Sequence, residues 1–456
     1  AREQHDGAGH EPAAEDAVGL GRCPECGAWS TAASPARAAP SDAGLVVRTL
    51  AGTGRAGARI HTGAPEADRV LGGGLVPGSV VLLAGEPGMG KSTLVLQLVA
   101  GLVEAGRRCL LVTGEESVDQ VALRAARLGA PRERIRVAAS GSLGAVLEAS
   151  AREEPEVLVV DSIQTLSDDA LEQSSGSVVQ VRECAASLVR HAKSTGRAVL
   201  LVGHVTKDGS VAGPKTLEHV VDAIVTLEGE RSGSLRLLRA VKNRFGSCEE
   251  TGVFAMTAGG LASVPDPSSM LLSDRRPGPG SAVHAGLEGT RPVLVEMQAL
   301  VVGTPLAQPR RVAIGIDQRR LAALLAVLAK TARDKLSSCD VFVSAVGGLH
   351  VREPAGDLAA LLALASALDG APVDPGLVAV GEIGLGGEVR RAPGMERRLA
   401  EAARLGFARA LVPRASKATC PGVDTIGVAD IGEAIDALTS YRVARSAGPE
   451  VATCYA

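Results

Sequence analysis

The stretch that most constrains this chain is Gly85-Glu86-Pro87-Gly88-Met89-Gly90-Lys91-Ser92-Thr93. It fits G-x-x-x-x-G-K-[ST], a phosphate-binding loop. Its three glycines let the backbone curl so that N–H groups converge on phosphate oxygens. Such a loop works between a buried strand and a helix whose N-terminus faces the anion. The flanks supply both. Ser79–Ala84 is a short apolar run that reads as a buried parallel strand. Thr93–Val99 has helical spacing. The whole of Gly85–Thr93 is therefore the candidate site for ATP. Lys91 is placed to reach the β- and γ-phosphates, and the Ser92 hydroxyl to ligate Mg²⁺.

Beside such a loop, polar residues at the ends of neighbouring strands are the candidates for chemistry. Cys109–Thr113 reads as a strand and leads into Gly114-Glu115-Glu116-Ser117. Glu115 is placed to orient an attacking water as a general base, and the same segment also reads as a helix N-cap through Ser117. Val157–Val160 is apolar and ends in Asp161, the Walker B arrangement for holding Mg²⁺. A long amphipathic helix over about 177–194 precedes the strand Ala198–Val202, which ends at Gly203-His204. His204 is either a sensor of the γ-phosphate or a loop histidine. The glycine-rich stretch after it, with Lys207 and Lys215, is either a nucleic-acid loop or a solvated hairpin. After strands at 223–227 and 235–240 comes Lys242-Asn243-Arg244-Phe245-Gly246. Its two cations project to one side of an extended segment. They can serve as arginine-finger groups on a neighbouring subunit's nucleotide, or pair with anions at the surface.

Composition excludes several alternatives. Net charge is −3, so any nucleic-acid grip must come from a local basic surface. Aromatic residues make up 2% of the chain, too few for recognition by repeated base stacking. No apolar run is long enough to span a bilayer, so no membrane role is expected. The eight cysteines are scattered apart from Cys23 and Cys26, which suits a reducing cytoplasm. That pair, in Cys23-Pro24-Glu25-Cys26-Gly27, forms half of a zinc ribbon. There is no second C-x-x-C, and His5 and His10 stand at no standard spacing, so less than one Zn²⁺ per chain is expected. Composition shifts divide the chain into a flexible N-terminus at 1–57, an α/β unit at 58–264, a Pro/Ser/Gly/Arg linker at 265–280, a second α/β unit at 281–440 and a tail at 441–456.

The order of these motifs, with Val159–Gln164, Ser177–Ala185, Gly203–Gly213 and the K-N-R-F-G stretch at 242–246, resembles the RadA (Sms) family of bacterial DNA-repair proteins from about residue 20 to 440. The resemblance implies an α/β fold: a RecA-like P-loop ATPase core followed by a Lon-peptidase-like α/β domain, with a partial zinc knuckle in front. It implies a homo-hexameric ring, a DNA-dependent and helicase-like ATPase, binding of single-stranded DNA, and processing of branched recombination intermediates alongside the RecA recombinase. The competing readings are an ATP-dependent Lon-type peptidase and a non-motor ATP-binding scaffold. Against the peptidase, Ala355 stands where the Lon-like turn would carry its serine, and Glu396 where it would carry the lysine base. Without a hydroxyl nucleophile and an amine there is no acyl-enzyme chemistry. That domain is instead expected to offer Arg390, Arg391, Arg397 and Arg398 to DNA phosphates.

Overall fold

The computed structural model describes residues 58–204, 217–229, 233–331 and 336–446. His5, His10, Cys23, Cys26, Lys207 and Lys215 lie outside the described residues.

The described chain opens with helix α1 (Pro65–Leu71), started by its proline and ended by Gly72 at φ 75°, a conformation that favours glycine. Strand β1 (Val80–Ala84) is buried along its whole length and feeds the phosphate loop and helix α2 (Lys91–Glu104). Strand β2 (Cys109–Thr113) leads to helix α3 (Val118–Arg127), whose first turn is closed by a capping box between Ser117 and Gln120. Strand β3 (Arg136–Ala139) and helix α4 (Leu143–Glu153) follow. Strand β4 (Val157–Asp161), helix α5 (Val178–Thr195) and strand β5 (Ala198–Val202) come next, with Ser177 capping α5 and Gly196 ending it. Four more strands, β6 (Ala223–Glu228), β7 (Leu235–Asn243), β8 (Thr251–Thr257) and β9 (Gly260–Ser263), complete a nine-stranded sheet of order β3-β2-β4-β5-β1-β6-β7-β8-β9. The pairs from β3 to β6 are parallel and those from β6 to β9 antiparallel.

Strand side chains alternate between two faces, and the cores show it. Val81 and Leu83 pack with Leu94, Val99 and Val103 of α2. Val80 and Leu82 pack with Val181, Leu188 and Ala192 of α5. A sheet covered on both faces needs continuous apolar strands, which is why β1, β2, β4 and β5 lack polar alternation.

The stretch at 265–280 contains helix α6 (Pro267–Leu272), capped by Asp266. Ser268 on this helix accepts from Leu294 N at 3.1 Å and donates to Glu401 at 2.6 Å. Beyond it lie β10 (Ser281–Glu288), β11 (Arg291–Gly303), β12 (Arg311–Ile314), helix α7 (Gln318–Thr331) and β13 (Cys339–Ala345). Helix α8 (Asp357–Asp369) is apolar on every side, because it runs through the middle of the second core. Strand β14 (Leu377–Ala379), the short hairpin β15 (Glu382–Ile383) with β16 (Val389–Arg390), and helix α9 (Met395–Arg404) follow it. The chain closes with β17 (Arg409–Pro413), β18 (Asp424–Val428) and helix α10 (Ile431–Ser446), which runs past the boundary drawn at residue 440. The second sheet has the order β12-β13-β11-β10-β14-β17-β18.

The two sheets share apolar core. Leu235 and Val253 of the first pack in one cluster with Val293 and Val295 of the second and with Leu358 of α8. A buried ion pair pins the junction. Glu66 of α1 accepts from Arg291 of β11 and from Val253 N at 2.8 Å. Arg291 also donates to Val264 O and Pro265 O at 3.2 and 2.7 Å. Among the described residues no helix is long and apolar enough to cross a membrane.

Candidate active site

The carboxyl ends of β1, β2, β4 and β5 meet at the phosphate loop, where the sheet order places β1 between β5 and β6. Ligands of open α/β sheets bind in that kind of crevice. Gly88 and Gly90 take φ values of 84° and 98°, and a Cβ at Gly90 would lie 2.9 Å from the Met256 side chain. The loop therefore needs glycine for its turn, while the Met256 terminal methyl could shift to make room.

Lys91 is buried, and its ammonium donates to Gly85 O at 2.8 Å and Glu86 O at 3.1 Å. Burial pushes its pKa below the ordinary lysine value, opposed by the charges of Asp161 and then Glu115. A cation held in low dielectric and partnered mainly by loop carbonyls is suited to an incoming phosphate.

Asp161 ends β4 in register with Thr113 of β2. Burial raises its pKa, a hydrogen bond from Ser92 opposes this, and the charges of Glu115 and Glu116 add to the rise. Mg²⁺ commonly takes one or two carboxylates and leaves its other positions to water and phosphate. The donor set here, one hydroxyl and one carboxylate beside a phosphate loop, fits that habit.

Glu115 lies two residues beyond Thr113, the partner of Asp161 in the β2–β4 pairing, and Gly114 N donates to Asp161 O at 2.9 Å. A Cβ at Gly114 would fall 1.9 Å from Thr165 Oγ1, so only glycine lets the strand end approach this closely. Ser162 Oγ donates to Glu115 Oε1 at 2.6 Å, and His204 Nε2 lies 3.3 Å from the same oxygen. Among the described residues no hydrogen bond engages Glu115 Oε2. Sequence reasoning passed over Ser162, which is fully buried and which thereby fixes the carboxylate. Its place directly after the Walker B aspartate was the available signal. Gln164 Nε2 donates to His204 O at 3.4 Å, tying the end of β5 to the same cluster. The structure therefore brings Lys91, Ser92, Glu115, Asp161 and His204 together, while Glu86, Pro87, Met89 and Thr93 remain in the loop and first helical turn around them.

Lys242 and Arg244 stand elsewhere. Lys242 Nζ donates to Val221 O at 2.7 Å and also to Glu218 O, and Arg244 Nη1 pairs with Asp222 at 3.1 Å. Asp222 in turn accepts from Val80 N at 3.1 Å, at the start of β1. The two cations therefore sit at the opposite end of β1 from their own phosphate loop. Four steps of strand separate those ends by about 13 Å. Both project toward the 218–222 segment, and in this chain both are paired rather than free.

One expectation is corrected. Arg398 is fully buried and cannot face DNA: it donates to Ala285 O at 2.7 Å, Pro393 O at 2.9 Å and Glu353 Oε1 at 2.7 Å. Arg390, Arg391 and Arg397 are exposed. Ala355 is buried on a 3-10 turn and Glu396 is exposed, so the second sheet presents neither a hydroxyl nor an amine at those positions.

A glycine-rich phosphate loop with a buried lysine, and a carboxylate and a positioned glutamate beside it at the carboxyl ends of a parallel sheet, define the class as a P-loop ATPase. The sequence profile described as an AAA domain matches residues 57–210. The DNA repair protein RadA of Pseudomonas aeruginosa is 48% identical over 92% of this chain and 95% of its own length. Its namesake from Halalkalibacterium halodurans is 44% identical over 92% and 96%. That of Escherichia coli K12 is 45% identical over 91% and 94%. A solved KaiC-like protein of Pyrococcus horikoshii aligns at 23% identity over 45% of this chain and 99% of its own, with a TM-score of 0.39. The chain belongs to the RadA family of DNA-repair proteins, and its core is an ATP hydrolase.

Proposed function

We propose that the chain is a DNA-dependent ATPase motor that binds single-stranded DNA and drives branch migration of recombination intermediates as a homo-hexameric ring in the cytoplasm, together with a RecA-type recombinase. The observation that supports a ring most directly is the separation of Lys242 and Arg244 from their own phosphate loop. Residues at the far end of β1 can reach a nucleotide only on another subunit. Their present partners, backbone carbonyls and Asp222, would be exchanged for phosphate across the seam.

In this reading Lys91 and the loop amides bind the triphosphate, and Ser92 with Asp161 hold Mg²⁺. The metal supplies charge neutralisation at the phosphates. Glu115 accepts the proton of the attacking water at Oε2, while Ser162 and His204 keep Oε1 occupied and the carboxylate in place. Arg390 and Arg391 at the β15–β16 hairpin and Arg397 on α9, with the lysines of the 205–215 stretch, give an ionic grip on DNA that weakens with salt. Buried Ala355 and exposed Glu396 offer no peptidase chemistry.

The test is branch movement on a synthetic three-strand junction bearing a single-stranded tail. The junction should be resolved with ATP and left intact with a non-hydrolysable analogue. Equal resolution with both nucleotides, or none with ATP, would reject the motor.

A further inference from the structure

Strand order fixes which way a nucleotide lies across this site. Glu115 follows β2, Asp161 ends β4 and His204 follows β5, and all three strands lie on one side of β1. The γ-phosphate must face Glu115, which holds the attacking water. The phosphate chain then crosses the loop, and the nucleoside extends to the other side, over β6.

The end of β6 abuts the loop there. Ala84 pairs with Thr226, and a Cβ at Gly85 would lie 2.6 Å from Leu227 O. A cavity of about 360 Å³ opens at this place, lined by Glu86, Met89, Thr226, Glu228, Gly229 and Arg352. That volume lies within the range of roughly 300–1,000 Å³ typical of small-ligand sites. Arg352 comes from the second sheet's half of the molecule, on the loop after β13. Its guanidinium is 3.4 Å from Glu228 Oε2, and its side chain is 70% exposed. Such a pair is worth little and costs little to leave. Arg239 Nε also lies 3.6 Å from Glu228 Oε2, so the carboxylate keeps a cation if Arg352 moves. None of the lining residues is aromatic, and a planar guanidinium is the remaining group able to stack on a nucleobase.

We propose that Arg352 closes the nucleoside end of the ATP site, its guanidinium lying against the base, so that the second sheet's half reads nucleotide occupancy directly. This rests on the assignment of the phosphate loop as an ATP site. Glu228 stands beside it as the carboxylate available to a ribose hydroxyl.

The test compares equilibrium binding of ATP and of inorganic tripolyphosphate, both with Mg²⁺, to the full chain and to Arg352→Ala, Arg352→Lys and Lys91→Ala. Arg352→Ala is expected to weaken ATP roughly three- to tenfold, the worth of one cation–π contact. Tripolyphosphate binding should stay as in wild type, which also reports an intact loop. Arg352→Lys keeps the charge without the plane and should weaken ATP nearly as much. Wild-type ATP affinity in Arg352→Ala overturns this proposal alone. Equal loss of ATP and tripolyphosphate with an unchanged melting temperature assigns Arg352 to the phosphates and overturns it as well. Failure of the unmodified chain to bind either ligand overturns the ATP-site assignment, and this proposal falls with it.

Discussion

Glu353 lies in the turn where a Lon-like peptidase would carry its nucleophile, and here it anchors a buried network. Arg398 engages both its oxygens, His284 Nε2 lies 2.9 Å from Oε1, and Leu287 N donates to Oε1 at 2.8 Å. Burial alone would raise this carboxyl. The hydrogen bonds from Arg398 and His284, and then their charges, outweigh it and hold the pKa down at about 2, against an ordinary 4.5. A carboxylate depressed in the folded state contributes stability above its unfolded pKa and loses it as pH falls through its folded one. The window therefore runs from about pH 4.5 down to about pH 2. A difference of about 2.5 units corresponds to about 3 kcal/mol, near the range of ~3–5 kcal/mol seen when a buried ion pair is broken. Glu353→Gln should lower the urea midpoint at pH 7 by the equivalent of about 3 kcal/mol, and the gap to wild type should close as the pH is taken toward 3. Urea titrations at a series of pH values measure this. A gap that is absent at pH 7, or one that stays constant down to pH 3, would show that the Glu353 network does not stabilise the fold through its charge.

Further outcomes are expected at the ATP site and in the core. Glu115→Gln should bind ATP normally and turn it over slowly, and a fall in affinity with an unchanged rate per bound ATP would make Glu115 structural. Ser162→Ala should lower kcat with little change in KM, and in a Glu115→Gln background it should have almost no further effect, because it acts through that carboxylate; additive losses would reject the link. Mixed rings of Arg244→Ala and Lys91→Ala subunits, each inactive alone, should recover some ATPase, whereas none despite subunit exchange would place Arg244 in cis or on DNA. Leu361→Ala, in the fully buried face of α8, should cost about 2–5 kcal/mol in a denaturation titration, and an unchanged midpoint would contradict the packing.

Much of the first sheet is legible in the sequence for one reason. Strands covered on both faces appear as unbroken apolar runs, and β2 and β5 fall on the residues that those runs mark. Strand β3 is half exposed and carries Arg136, so no apolar run announces it. The proline- and glycine-rich stretch at 265–280 reads as linker because α6 is a single short turn pair whose stability comes from packing on β11. Arg398 looks like part of a solvated basic run, yet helical spacing puts it on one face with Met395, Leu399 and Ala402, all buried. That periodicity was the missed signal. Ion pairs such as Arg244–Asp222 join residues that local patterns do not connect, and Arg352 lines the cavity beside the phosphate loop only because the two sheets pack together. Long-range packing of that kind has no local sequence signature.

In the proposed motor Lys91, Glu115 and Asp161 form an ATPase whose turnover is coupled to DNA. The most direct test is steady-state phosphate release by the full chain with and without single-stranded DNA, on a sample sized by light scattering, beside Lys91→Ala at equal concentration. Wild type should show DNA-stimulated release and Lys91→Ala almost none under either condition, since that ammonium stabilises charge on the transferring phosphate by several kcal/mol. Wild-type release by Lys91→Ala, or a wild-type rate indifferent to DNA, would contradict the proposed motor.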